Sequence, residues 1–505
     1  MEPVDLSSFL ALVDEGFNTV PLAMVLQLDR ETPVSLYHRF AGRAIFLLES
    51  ASLGEATGRY SFIGLDRAWR VTTIDGVTVV EGLEHAVTQD SPLATVRSQL
   101  ARYRAFVPSS LPDFFGGAVG FVSYDYVRRL ETLVKAPPRD GWPDVDFSFP
   151  GAVLICDHLD HSTTVVVNAV LDSANDATDV YHDAASRLEE IVALLLAPEP
   201  PRDADVERLV ATAPSRRTSI DVRDVARSLS NFSAEAYGEV VDAAKEHIFA
   251  GDIFQVVPSQ QFARASHVDP LTLYRVLRAL NPSPYMYLLD SGTNQIVGAS
   301  PEMLLRVHDG LVATRPIAGT RPRGANEDED RTLEVDLLHD EKEIAEHVML
   351  VDLGRNDVGR VATPGTVRVE RLAHVERFSH LMHLVSQVTG QLATGLDAFD
   401  AFDALFPAGT LTGAPKVRAM ELIDGFEPVY RGPYGGAVGY FSLSGSADFA
   451  ITIRTVSLRN GVATVQAGGG VVADSQPLLE YQECVNKASA PLLALEIADP
   501  LDDTR

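Results

Sequence analysis

Apolar positions along the chain follow two rhythms. Short runs at 44–48, 71–73 and 152–156 have the length and β-branched content of strands, whereas residues 179–195 space their apolar side chains along one helical face. Residues 233–250 predict a second helix, opened by Ser233 as N-cap and closed before Gly251-Asp252. Between the two helices, Ala-Pro-Glu-Pro-Pro-Arg-Asp at 197–203 and the Ser, Thr and Arg after it show no apolar periodicity. This break divides the chain into an N-terminal domain at 1–200, a linker at 201–229 and a larger domain at 230–505. Strands and helices do not alternate strictly beyond the break, so an α+β fold is expected in preference to a doubly wound parallel sheet.

The sharpest local pattern lies near the C-terminus. Apolar-rich runs at 450–458 and 462–466 flank Asn460-Gly461, a strong two-residue hairpin signal. With those two residues at the turn, ladder partners sum to 921, which puts Arg454 opposite Ala467 and beside Gly468, Gly469 and Gly470. A guanidinium next to bare backbone amides is suited to a carboxylate. The pentapeptide Gly-Gly-Ala-Val-Gly occurs at 116–120 and 435–439, and with no wider self-similarity it reads as two glycine-rich strand starts.

Composition narrows the classes. In 505 residues, 42 Lys and Arg stand against 70 Asp and Glu, a formal net charge of −28, which argues against nucleic acid or anionic membrane as a partner. An anionic small substrate would likewise be repelled at long range, so its capture must depend on local arginine, amides and a bridging cation. Two cysteines, Cys156 and Cys484, exclude a disulfide framework and a four-cysteine metal site. The first residues lack a basic-then-apolar leader and no apolar run approaches about 18 residues, so a cytoplasmic protein is expected.

Familiar chemistry is mostly missing. No G-x-G-x-x-G, H-E-x-x-H or C-x-x-C occurs, and Gly409-Thr-Leu-Thr-Gly-Ala-Pro-Lys416 has the wrong spacing for a phosphate loop, with Pro415 lacking a backbone donor. Two acidic pairs remain. Glu343 and Glu346 share one helical face at i and i+3, and Glu480 and Glu483 repeat the spacing. Carboxylates converging from two helices suit Mg²⁺, which keeps waters and bridges to an anionic ligand. His380 and His383, in Phe-Ser-His-Leu-Met-His, carry by themselves no more than a core role.

Taken together, Pro316-Ile-Ala-Gly-Thr-Arg-Pro-Arg-Gly324, Lys342-Glu-Ile-Ala-Glu-His347, Met349-Leu-Val-Asp-Leu-Gly-Arg-Asn-Asp357, the 409–416 segment and Gln466-Ala-Gly-Gly-Gly-Val-Val472 resemble the chorismate-utilising enzymes. Leu47-Leu-Glu-Ser50, Arg59-Tyr-Ser-Phe-Ile-Gly64 and Gly116-Gly-Ala-Val-Gly-Phe-Val-Ser-Tyr-Asp125 extend the likeness to the N-terminal half. The resemblance implies a layered antiparallel β-sandwich core with helices packed outside, and a Mg²⁺-dependent reaction on chorismate. By this likeness Glu346 and Glu483 hold Mg²⁺, with Glu343 and Glu480 in support. Glu302 is the general acid, His383 serves the elimination of pyruvate, and Thr410, Gly319 and Thr320 lie beside the ring. Tyr434, Arg454, Gly468 and Gly470 are similar to the residues that grip the enolpyruvyl carboxylate.

Two positions indicate the anthranilate-forming branch. Where relatives that add water carry a lysine base, this chain has Gln255, and where relatives making aminodeoxychorismate carry a ring-side lysine, it has Ala318. The likeness therefore implies ammonia as nucleophile, supplied by a separate glutamine amidotransferase subunit, with two copies of each chain in a heterotetramer. Cys484 is a poor candidate for an amidotransferase nucleophile. The likeness also implies a feedback site for L-tryptophan, with Glu49 at its amino group and Ser50, Pro284, Tyr285, Met286, Val438 and Tyr440 around it. Aromatic and methionine walls suit an indole.

Overall fold

The computed structural model describes residues 4–499 apart from 51–57, 75, 83–85, 89, 134–140, 173–174, 218–219 and 378–380, so His380 lies outside the described residues. The predicted runs fall inside strands Ala44–Glu49, Tyr60–Ile74 and Val145–Asp157. The two predicted helices are Ala177–Leu196, capped by Asp176, and Ala234–Phe249. Ser233 caps the latter by accepting from the Ala236 amide.

Every pairing between the named strands is antiparallel, and among the described residues all but two short strands join one closed sheet. Two seams join the halves of the chain. Ala44–Glu49 pairs with Tyr285–Asp290, setting Glu49 opposite Met286, and Gly117–Val122 pairs with Ala437–Ser442, setting Phe121 opposite Val438. The two Gly-Gly-Ala-Val-Gly segments thus lead into neighbouring strands of one sheet.

Burial shows why the sheet has layers. In Val145–Asp157, Val153 and Ile155 point into one apolar cluster while Ala152, Leu154 and Cys156 point into another. In Ala437–Ser442, Val438 faces the first cluster and Ala437 and Phe441 a third. The shared cluster, with Phe46, Phe114, Phe121 and Tyr287, is enclosed by strands. The outer two lie under helices, among them Pro270–Leu280 and Pro477–Ala498 on one side and Ala398–Leu405 on the other. Strands buried on both faces have no polar side, which is why their sequences read as apolar runs. The architecture is the expected α+β sandwich with helices outside.

Two expectations change. Residues 201–229 are not an open linker: Asp203 and Asp221 cap the helices Ala204–Arg216 and Val222–Leu229, and these pack on Pro270–Leu280 and Pro477–Ala498. The prolines precede the first helix and leave its capped start intact. At the hairpin, Val456↔Val465 through Arg459↔Val462 keep the 921 register, but the ladder ends there. Arg454 has φ 51° and stands between strands Ala447–Ile451 and Thr455–Arg459, while Ala467 pairs with Gln260. Arg454 is therefore not opposite Ala467: the chain turns sharply and passes from one partner strand to the next. No helix among the described residues is long and apolar enough to cross a membrane.

Candidate active site

Glu302 sits in the short break between strands Asn294–Ser300 and Met303–His308, where its carbonyl accepts from the Ile451 amide at 3.0 Å. Its carboxyl is buried and accepts from the Thr410 hydroxyl at 2.9 Å. Burial drives the carboxyl up to about 7, opposed by the Thr410 bond and by the charges of Lys487 and Arg454. A carboxyl so poised holds a proton at neutral pH and can give it up.

His383 lies in strand Leu381–Gln391, opposite Thr320. A bulge at Gly319, φ 60°, aims the Gly319 carbonyl at His383 Nδ1, 3.0 Å away, and the Thr320 hydroxyl stands at the same distance from that nitrogen. Nδ1 is therefore the protonated nitrogen and Nε2 the basic one. Burial pushes the ring down to about 4, with the Gly319 bond opposing and the Arg454 charge assisting, so it is neutral near pH 7.

Arg454 is buried enough that its affinity for a proton falls, although the nearby Glu302 charge partly restores it. Among the described residues it forms no ion pair with a carboxylate, which leaves a half-buried cation suited to an anionic ligand. Tyr434 is buried, with its hydroxyl bonded to the Gly468 backbone. A Cβ on Gly468 would meet the Pro258 carbonyl at 2.6 Å and the Tyr434 hydroxyl at 2.9 Å, so only glycine fits.

The acidic pairs do approach one another. Glu343 and Glu346 come from helix Glu341–Gly359, Glu480 and Glu483 from Pro477–Ala498. A Cβ on Gly469 would lie 3.3 Å from Glu480 Oε2 and 3.7 Å from the Glu483 carboxyl carbon, and one on Gly470 would lie 3.8 Å from Glu346 Oε1. Three of the four carboxylates thus face two consecutive glycines. Glu480 Oε2 is buried without a hydrogen-bond partner. Burial, then the Glu483 charge, raises Glu480, and burial, then Glu346, raises Glu343. No ready cage of three or more acidic, His or Cys ligands occurs among the described residues. Oxygen donors in pairs, one of them orphaned, nonetheless fit a cation that keeps most of its waters.

Three further residues join this network. Lys487 bridges Glu483 Oε1 at 2.7 Å and the Gly468 carbonyl at 3.1 Å. Its place one helical turn after Glu483 is the only signal for it. Gln255, a branch marker in the sequence, donates to Glu346 Oε1 at 3.1 Å. Asp448 accepts from the Tyr285 hydroxyl at 3.0 Å and from Arg306 at 2.6 Å.

The residues expected around tryptophan form a second group. Tyr285, Val438 and Tyr440 border the enclosed cluster, Tyr440 stands opposite Asp448, and Met286 is opposite Glu49. Glu49 is buried and already accepts from the Tyr274 hydroxyl at 2.6 Å and from Arg278 at 2.6 and 3.0 Å. Pro284 precedes Tyr285 at the strand start, and the Ser50 hydroxyl is buried without a partner among the described residues. His347, by contrast, bonds Ser386 at 2.6 Å inside the protein, a core role.

Glu302, His383, Arg454 and the two acidic pairs are thus all set in one antiparallel sandwich with its flanking helices. The family model described as chorismate binding enzyme matches residues 44–493, and the chain belongs to that family. It is 44% identical to anthranilate synthase component 1 of Acetivibrio thermocellus, covering 96% of this chain and 97% of that protein. It is 46% identical to the protein of that name from Pseudomonas aeruginosa, over 97% and 98%. Among solved structures, anthranilate synthase component I of Streptococcus pneumoniae superposes with TM-score 0.74 at 35% identity, covering 92% and 98% of the two chains. The menaquinone-specific isochorismate synthase of Escherichia coli shares the fold, with TM-score 0.68 at 18% identity over 97% and 99%.

Proposed function

We propose that the chain is the synthase component of an anthranilate synthase, converting chorismate and ammonia to anthranilate, pyruvate and water at the first committed step of tryptophan biosynthesis. The observation that carries this reading is the buried Glu302 carboxyl, bonded to the Thr410 hydroxyl at 2.9 Å and in electrostatic reach of Arg454. Arg454, Tyr434 and the glycines at 468 and 470 hold the enolpyruvyl carboxylate. Glu302 gives its proton to the departing ring hydroxyl, which leaves as water while ammonia adds to the ring. Removal of a ring proton then expels pyruvate and restores aromaticity, and the basic Nε2 of His383 assists that step. Thr410, Gly319 and Thr320 orient the acid and the imidazole.

Mg²⁺ is the cofactor of this reading, held by Glu346 and Glu483 with Glu343 and Glu480 in support. When bound it would supply positive charge for the ring carboxylate, which four nearby acids would otherwise repel. Gln255 supports ammonia over water, because an amide bonded to Glu346 cannot act as a base. A separate amidotransferase subunit supplies the ammonia, in a heterotetramer with two copies of each chain. Cys484 is unsuited to release ammonia from glutamine, because it is fully buried beside the Tyr237 hydroxyl and burial raises its thiol to about 11. Tryptophan binds at the second group of residues and weakens chorismate binding through strand Ala437–Ser442, which lies close after Tyr434. Turnover in ¹⁸O-water with ¹⁵N-ammonium tests the nucleophile. The ring product should carry ¹⁵N and no ring-bound ¹⁸O; an ¹⁸O-hydroxylated product would overturn the reading.

A further inference from the structure

One charged group near the site has no role in the reaction itself. Arg431 and Glu427 form an ion pair at 2.6 Å whose side chains expose only 1% and 4% of their surface. A buried ion pair adds little to stability, since an apolar pair of similar volume often does as well or better. What sets this one apart is where its hydrogen bonds go. Arg431 Nη1 donates to the Leu411 carbonyl at 2.7 Å and Nη2 to the Val257 carbonyl at 2.7 Å, while Nε and Nη2 hold the two Glu427 oxygens at 2.9 and 2.6 Å. The guanidinium lies over the rings of Tyr124 and Tyr434, 4.6 and 5.5 Å from their centroids. Glu427 Oε1 in turn accepts from the Ser259 amide at 2.9 Å and its hydroxyl at 2.8 Å.

Each attachment lies next to a residue of the site. Leu411 follows Thr410, whose hydroxyl holds Glu302. Val257 is two residues beyond Gln255, whose amide holds Glu346. Ser259 is opposite Gly468 in the ladder, and Tyr434 closes the same wall. The segments around 411 and 257 are irregular, a 3₁₀ turn Gly409–Leu411 and a two-residue strand Gln255–Val256, joined by the Val257 amide bonding the Thr412 carbonyl at 2.9 Å. Without Arg431, the Leu411 and Val257 carbonyls would lose the charged donor that ties both segments to one point.

We infer that Arg431, braced by Glu427, is a positioning residue that fixes the Glu302–Thr410 segment, the Gln255–Glu346 contact and the Tyr434 ring relative to one another. A planar guanidinium makes these bonds in one fork; a lysine keeps the charge but cannot reach both carbonyls and both carboxylate oxygens together. The inference rests on the anthranilate synthase reading, so Arg431→Lys is assayed beside the unaltered chain with chorismate, Mg²⁺ and ammonium, and the folded fraction is measured by near-ultraviolet circular dichroism. The expected result is a fall in kcat per folded molecule of about tenfold to a hundredfold, larger than the rise in KM for chorismate, because Tyr434 loses its support while Arg454 is untouched. A purely structural role would lower the folded fraction and leave kcat per folded molecule as it was, and that result overturns the inference. Absence of turnover in the unaltered chain would instead count against the functional reading. If Arg431→Lys does not fold, Ser259→Ala decides the matter: losing one hydroxyl from Glu427 should lower kcat in the same direction by less, and unaltered kcat would overturn the inference.

Discussion

The Thr410 hydroxyl donates to the Glu302 carboxyl at 2.9 Å, and that bond opposes the burial that raises the same carboxyl to about 7. Burial without the bond would hold the proton more tightly, and the bond without burial would release it too early. Their balance leaves an acid that is protonated, yet able to transfer, near neutral pH.

Glu302→Gln keeps an acceptor for Thr410 but carries no transferable proton. Turnover should fall by about 10² to 10⁴. Stability should change the other way. Between the ordinary value of 4.5 and about 7, the folded chain holds a proton that the unfolded chain releases, so this group destabilises the fold progressively as pH rises through that window. The penalty reaches on the order of 3 kcal/mol above pH 7. Thermal melts should therefore show Glu302→Gln more stable than the unaltered chain at pH 8 and no more stable at pH 4.5. Equal melting points at pH 8 would refute burial of an ionised Glu302.

His383 should titrate far below the ordinary histidine range. With ¹³C-labelled histidine, its ring resonance should stay that of the neutral form down to about pH 5. A midpoint near 6.5 would contradict the burial that holds the ring neutral. His383→Asn should slow pyruvate release by about 10² to 10⁴ and let an aminated, still enolpyruvyl-bearing species accumulate, detectable by mass.

Glu346→Gln removes the carboxylate that faces Gly470 and leaves the Gln255 contact possible. Mg²⁺-dependent turnover should be lost while the circular dichroism spectrum stays that of the folded chain. Retained turnover with an unchanged Mg²⁺ requirement would end the assignment of this helix pair to the metal.

Glu49→Gln tests the second site. Arg278 and Tyr274 would face a neutral amide in place of a carboxylate, at a cost of about 1–3 kcal/mol in stability. Tryptophan should bind more weakly by calorimetry and inhibit less, with KM for chorismate unchanged in its absence. Because coupling is reciprocal, chorismate should in turn weaken tryptophan binding to the unaltered chain. Tight tryptophan binding without any effect on chorismate affinity would contradict the coupling.

Local signals in the sequence carry the fold well where a short-range rule governs it. Asn460-Gly461 sets the hairpin register, Ser233 the start of a helix, and the i, i+3 spacing the common face of Glu343 and Glu346. What fails depends on long-range packing. Arg454 reads as an ordinary strand residue, because nothing nearby announces that the chain leaves one partner strand and joins another there. Residues 201–229 look open because their proline cluster hides two Asp caps and the apolar contacts that hold their helices down. At the site, the glycines, acids and His383 are recognisable as motifs. Lys487, Asp448 and the Arg431–Glu427 pair are not: an i, i+4 ion pair is a common surface pattern, and the contacts that place these residues, to Gly468, Tyr285, Leu411 and Val257, are made with other segments of the chain.

The central claim, that this site turns chorismate and ammonia into anthranilate and pyruvate, is tested most directly by following the fluorescence of the purified chain with chorismate, Mg²⁺ and ammonium at mildly alkaline pH. Pyruvate is measured in parallel, with and without tryptophan. The expected result is anthranilate emission matched one-to-one by pyruvate and suppressed by tryptophan. Chorismate binding without product, or pyruvate without anthranilate, would contradict it.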